Sequence, residues 1–134
     1  MVEYIPDMAA VDEAIDSAND GFRTVLSLGS DASTAEAADT FAAAAMQFRA
    51  AADTLEAGIT GVPATVTDAV REALLRLGDG EQDLADCLEG AQAFDDCDKA
   101  ADVARERAGD VGSSMKLFVL FGSRTADEVA ATIN

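Results

Sequence analysis

With no histidine in the sequence, the groups to weigh first for chemistry are its carboxylates and two cysteines. Histidine is the commonest general base and the commonest transition-metal ligand. Its absence excludes Ser-His-Asp and Cys-His nucleophile arrangements and the Glu-x-x-His pattern of di-iron bundles. Two acidic groups remain to be weighed: Asp79, Glu81 and Asp83, and Asp95, Asp96 and Asp98. Neither has the glycine and terminal glutamate of a calcium loop, so both read as solvated acidic faces. Gly78, Gly80 and Gly90 have the wrong spacing for a dinucleotide fingerprint, and no phosphate-cradling glycine loop carries a lysine. No catalytic residue, metal ligand or cofactor is therefore expected, and the chain reads as a non-enzyme.

Cys87 and Cys97 leave one possible pairing. A straight helix would hold them about 15 Å apart, too far to bond. A disulfide requires the chain to turn back between them. Two buried, reduced thiols are the expectation in the absence of a signal peptide, with the bridge as the alternative.

The net charge of -17 excludes more than the motifs do. Phosphate contacts need clustered Lys and Arg, and Lys99 and Lys116 are the only lysines. No nucleic acid is expected as a partner. Anionic lipid is excluded on the same ground, and no apolar run approaches the roughly 18 residues of a membrane span. Asp outnumbers Glu, which suits a halophilic setting where salt screens the repulsion and acids keep the surface hydrated. A high-GC coding bias gives a similar balance. The first residues, Met1 to Asp7, lack a basic segment followed by an apolar one, so no signal peptide is visible. The compartment is left open between a virus particle and a high-salt cytoplasm.

The elements that must position these groups are helices. Ala38, Phe41, Ala45, Phe48, Ala52, Leu55 and Ile59 follow one another at steps of three and four, a single helical seam. Ser33-Thr34-Ala35-Glu36 is a capping box at its start, and Gly58 is a left-handed stop at its end. Met8, Val11, Ile15, Ala18, Phe22 and Val25 form an earlier seam, capped by Asp7. Gly21 and Thr24-Val25 weaken its last turns, so Phe22 to Leu28 is expected to be irregular. The short connection through Gly29 favours an antiparallel pair.

Pro63 suits the first turn of a third helix. Its seam, Val66, Val70, Ala73 and Leu77, continues in phase past Gly78-Asp79-Gly80 to Leu84, Cys87, Ala91 and Phe94. The surviving phase predicts one long helix, with the glycines marking a close crossing or bend. The rival is two helices joined at Asp79. The phase fails after Phe94, which places a turn near Ala93 to Asp96. A fourth helix, Cys97, Ala101, Ala104, Ala108 and Val111, is expected to be interrupted at Gly109 and Gly112. Thr125-Ala126-Asp127-Glu128 is a further capping box, for a short last helix ending near Ile133.

The prediction is an all-α antiparallel bundle of about four main helices with a short C-terminal helix, one domain over residues 1–134. Val11, Ile15, Phe22, Phe41, Phe48, Leu55, Val70, Leu77 and Leu84 should be buried. Between the last two helices lies Leu117-Phe118-Val119-Leu120-Phe121, the most hydrophobic stretch in the chain. Successive helical positions lie about 100° apart, so five in a row cannot all face one core. Residues 113–134 are therefore a candidate docking segment. Its interface residues would be Leu117, Phe118, Val119, Leu120, Phe121, Val129 and Ile133.

The hairpin around Leu28-Gly29 resembles those of type VII secreted proteins, but the Trp-x-Gly turn of that family is absent and no role carries over. The size is comparable to helical adaptors in tailed-virus connectors. The expected function is a non-enzymatic structural or adaptor subunit of a larger assembly, such as a virion head, connector or tail component. Its partners would be other protein subunits, homo- or hetero-oligomeric. The alternatives are a secreted or surface interaction module stapled by Cys87–Cys97, and a carboxylate-only cation-binding protein.

Overall fold

The computed structural model describes residues 8–59 and 61–133. The chain folds as four helices packed against one another, α1 (Met8–Leu26), α2 (Thr34–Thr54), α3 (Ala64–Glu89) and α4 (Asp98–Ile133). A single 3-10 turn at Phe94–Cys97 joins the last two. There is no strand among the described residues.

Local chemistry explains the breaks. Ser33 caps α2, its Oγ accepting from the Glu36 amide at 3.1 Å. α2 ends at Thr54, earlier than its seam, and the chain turns through Gly58 and Gly61 at φ +77° and +82°. L side chains rarely adopt that backbone, so glycine is required at both. Asp7, the expected cap of α1, lies outside the described residues. Pro63 precedes α3, where its missing N–H removes one of the donors that a helix start leaves unpaired.

Neighbouring helices run antiparallel. Thr34 Oγ1 donates to the Ala91 carbonyl at 3.3 Å, while Arg49 reaches Asp79 at 3.1 Å, so residue numbers rise on α2 as they fall on α3. On α3 and α4 the facing pairs are Cys87 with Cys97, Gly80 with Ala104, and Arg76 with Arg107. The core has two parts. The larger joins Val11, Phe48, Leu55, Leu74, Val111 and Phe118, and the smaller joins Ala37, Leu84, Leu88, Cys97 and Ala104.

The third helix is continuous through Gly78-Asp79-Gly80. Both glycines sit at crossings. A methyl on Gly78 would lie 3.0 Å from Arg49 Cγ, and one on Gly80 would lie 3.2 Å from Arg107 Cδ. They let α2 and α4 approach α3 closely, at the cost of roughly 1 kcal/mol that a glycine carries in a helix.

Three expectations are corrected. α1 stays helical to Leu26, because Phe22 packs edge-to-face on Phe48 with centroids 4.9 Å apart and holds the last turns down. α4 is not interrupted at Gly109 or Gly112, and the short final helix expected from Thr125 is its distal part. Buried Val111 and Phe118, seven residues apart, pin α4 on either side of Gly112. Of the residues expected in the core, Ile15, Phe22 and Phe41 are only partly buried, and the other six are buried.

Candidate functional site

The acids singled out in the sequence do not converge. Asp79 and Asp83 are exposed, with Asp79 held by Arg49, while Glu81 points the other way into the protein. Alternate positions on a helix lie on different faces, so this triplet cannot act as one ligand set. Asp96 is used locally: its Oδ2 accepts from the amides of Gln92 and Ala93 at 3.2 Å each and fixes the turn into α4. Among the described residues no three acidic or cysteine side chains are grouped so as to hold a metal ion. No described helix is long and apolar enough to cross a membrane.

The cysteines correct the expectation of free thiols. Cys87 and Cys97 form a disulfide, with Cα atoms 6.0 Å apart. The helical separation of about 15 Å never arises, because α3 ends at Glu89 and the chain reverses before Cys97. The bond staples the end of α3 to the start of α4, beside Leu84, Leu88 and Ala37.

Of the expected interface residues, Phe118 belongs to the core: it is fully buried and packed in the larger cluster. It is removed from the docking set. The side chains of Leu117, Val119, Leu120, Phe121, Val129 and Ile133 lie outside the described residues, although their backbone is part of α4.

Glu81 is the residue that sequence reasoning missed. Only 5% of it is exposed, and its Oε2 is buried without a hydrogen-bond partner. It borders a cavity of about 260 Å³ where all four helices meet, lined by Phe22 and Val25 of α1, Phe41 of α2, Leu84 of α3 and α4 side chains. A signal existed. Glu81 stands four residues after Leu77 and three before Leu84, inside the apolar stripe. Burial pushes its carboxyl up to about 7 from an ordinary 4.5, since a low-dielectric surrounding disfavours the charged form.

That shift has a pH signature. Between the two values the folded state holds a proton that the unfolded state has lost, so stability falls as pH rises and levels off above about 7. Urea unfolding near pH 5 and near pH 8 should show a loss of about 2 kcal/mol in the native chain beyond that in Glu81→Gln. Equal losses would mean that Glu81 is ionised and solvated in the folded state.

The chain matches no protein-family profile, no curated protein and no solved structure.

Proposed function

We propose that the chain is a structural or adaptor subunit of a larger protein assembly, attaching through the distal part of α4, and that its direct partner there is a second copy of itself. The observation that supports this reading is the length of α4. Its pairing with α3 brings Ala64, where α3 begins, level with about Leu120 at 1.5 Å per residue. The contact of Gly21 with Phe48 brings Met8 of α1 to the same level. From Phe121 to Ile133, α4 runs on for roughly 20 Å past the described ends of the other helices.

The sequence of this extension fits a packed role. α4 meets the bundle through Ala104, Ala108, Val111, Met115 and Phe118. The same stripe continues in register at Gly122, Ala126, Val129 and Ile133. A stripe that runs past the described ends of the other helices calls for another surface, and apolar area buried there stabilises by about 25 cal/mol per Å². Charge supports a second copy as the occupant. Residues 111–126 contain no Asp or Glu, and Lys116 and Arg124 give them +2, which leaves -19 for the rest of the chain. The first half of the extension, residues 121–126, falls within this acid-free stretch, which lowers the local repulsion between two acidic chains there; Asp127 and Glu128 follow it. Salt screens the remaining repulsion, so association should strengthen as salt rises.

The test is a chain stopped after Leu120, which keeps Val111, Met115 and Phe118 in the core. A cut after Gly112 would remove Met115 and Phe118 and confuse folding with assembly. The shortened chain should keep its helical circular dichroism and a cooperative urea transition, while losing its association and with it the dependence of that transition on protein concentration. If it associates as before, the contact lies elsewhere.

A second reading is favoured by the disulfide, since such bonds persist in oxidising surroundings. In it the same helix serves a secreted or surface interaction module. Thiol labelling of the protein taken from its source distinguishes the two: a bonded pair supports the exported module, and free thiols support the reducing interior.

A further inference from the structure

We propose that the cavity beside Glu81 is a binding site for a small organic cation, an ammonium group carried on a compact apolar body. Phe22, Val25, Phe41 and Leu84 form the cavity's apolar walls, and Glu81, whose Oε2 is buried without a hydrogen-bond partner, is the acid that borders it. A buried acceptor left unpaired carries the full cost of its desolvation, and that cost is recovered when a donor arrives. The donor must be small: about 260 Å³ is roughly the liquid volume of eight or nine waters.

Charge selects the ligand within that size. An ammonium donates a charge-assisted hydrogen bond to a carboxylate, which is stronger than a neutral one. Phe22 and Phe41 border the same space, and aromatic faces attract cations. Arg105 is the one other charged side chain among the described residues lining the cavity. Its Nη1 is paired with Asp102 at 3.0 Å and its side chain is 77% exposed, so its charge is balanced by Asp102 and solvated. The net charge of -17 raises the local concentration of any cation. An anion would meet both that field and the Glu81 carboxylate.

The site is independent of the assembly reading, since none of its residues lies in the distal part of α4. The experiment compares 2-phenylethylammonium chloride with its neutral counterpart, 2-phenylethanol, on the full chain, followed by NMR shifts of Phe22, Phe41 and Leu84. Near pH 8 the cation should bind about tenfold more tightly than the alcohol, a difference of about 1.4 kcal/mol. The preference should shrink near pH 5, where Glu81 is protonated and the cation keeps its charge. Glu81→Gln should abolish it while leaving the helical circular dichroism intact. Equal binding of cation and alcohol, binding of neither, or a preference that survives Glu81→Gln would overturn the proposal. If Glu81→Gln does not fold, the pH profile of the native chain decides by itself.

Discussion

Phe48→Ala is expected to cost about 3–5 kcal/mol. Phe48 is fully buried in the middle of α2. Its ring stands edge-on to Phe22 at 68° and lies over Gly21, where a methyl group would fall 2.6 Å from Phe48 Cε1. The glycine is therefore a notch that the ring fills. Around it the larger core is built largely from short side chains, Ala14, Ala18, Ala44, Ala51 and Ala52. Alanine has no rotamer with which to reach into a vacated space, so the cavity left by Phe48→Ala would not collapse. Stability of a domain this size is about 5–15 kcal/mol, so the variant should be close to unfolding in mild conditions. Urea unfolding followed by circular dichroism measures the loss. A cost below about 1 kcal/mol would place the ring at the surface.

Breaking the disulfide is expected to cost about 3 kcal/mol. Cys87 and Cys97 close a loop of ten residues, and the chain-entropy relation gives that magnitude for such a loop. The bond also fixes the entry into α4, a helix of 36 residues attached to the rest mainly through α3. Cys97 is buried, so the double substitution to alanine suits the site better than serine, which would bury a hydroxyl. The variant, and the native chain in reductant, should unfold at the same lowered temperature. The intact chain should also be two hydrogens lighter than the reduced one by mass spectrometry. An unchanged unfolding temperature in reductant would show that the bond adds nothing to the folded state.

Much of the architecture was legible because its signals were redundant. α2 carried both a capping box at Ser33 and an unbroken stripe through Phe48 to Ile59, and the cap and the buried stripe are both present. α3 was legible across its glycines because phase depends on packing, whereas a glycine reports only local backbone freedom. α4 was misread for the complementary reason. A methyl on Gly109 or Gly112 would meet nothing within 4 Å, so these glycines mark no contact and simply lie on an open face. Their local cost was visible in the sequence; the burial of Val111 and Phe118 that offsets it was not.

The site was less legible than the fold. The turn between α3 and α4 was foreseen, yet the pairing of Cys87 with Cys97 depends on where that turn brings two Cα atoms, which spacing alone does not determine. Glu81 was grouped with its acidic neighbours by proximity in sequence, although its step from Leu77 and to Leu84 placed it in the stripe. Phe22 and Phe41, expected in the core, border the cavity that Glu81 shares, which is why they are only partly buried. Phe118 was placed with the docking residues because its four neighbours are equally apolar; the face it occupies is the one that continues from Val111.

The central functional claim is that α4 joins one chain to another beyond Leu120. Its most direct measurement is the solution mass of the intact chain by sedimentation equilibrium, over a range of protein concentrations in low and high potassium chloride. The expected result is a mass above that of one chain, rising with concentration and with salt. A single-chain mass at every concentration and every salt would contradict it.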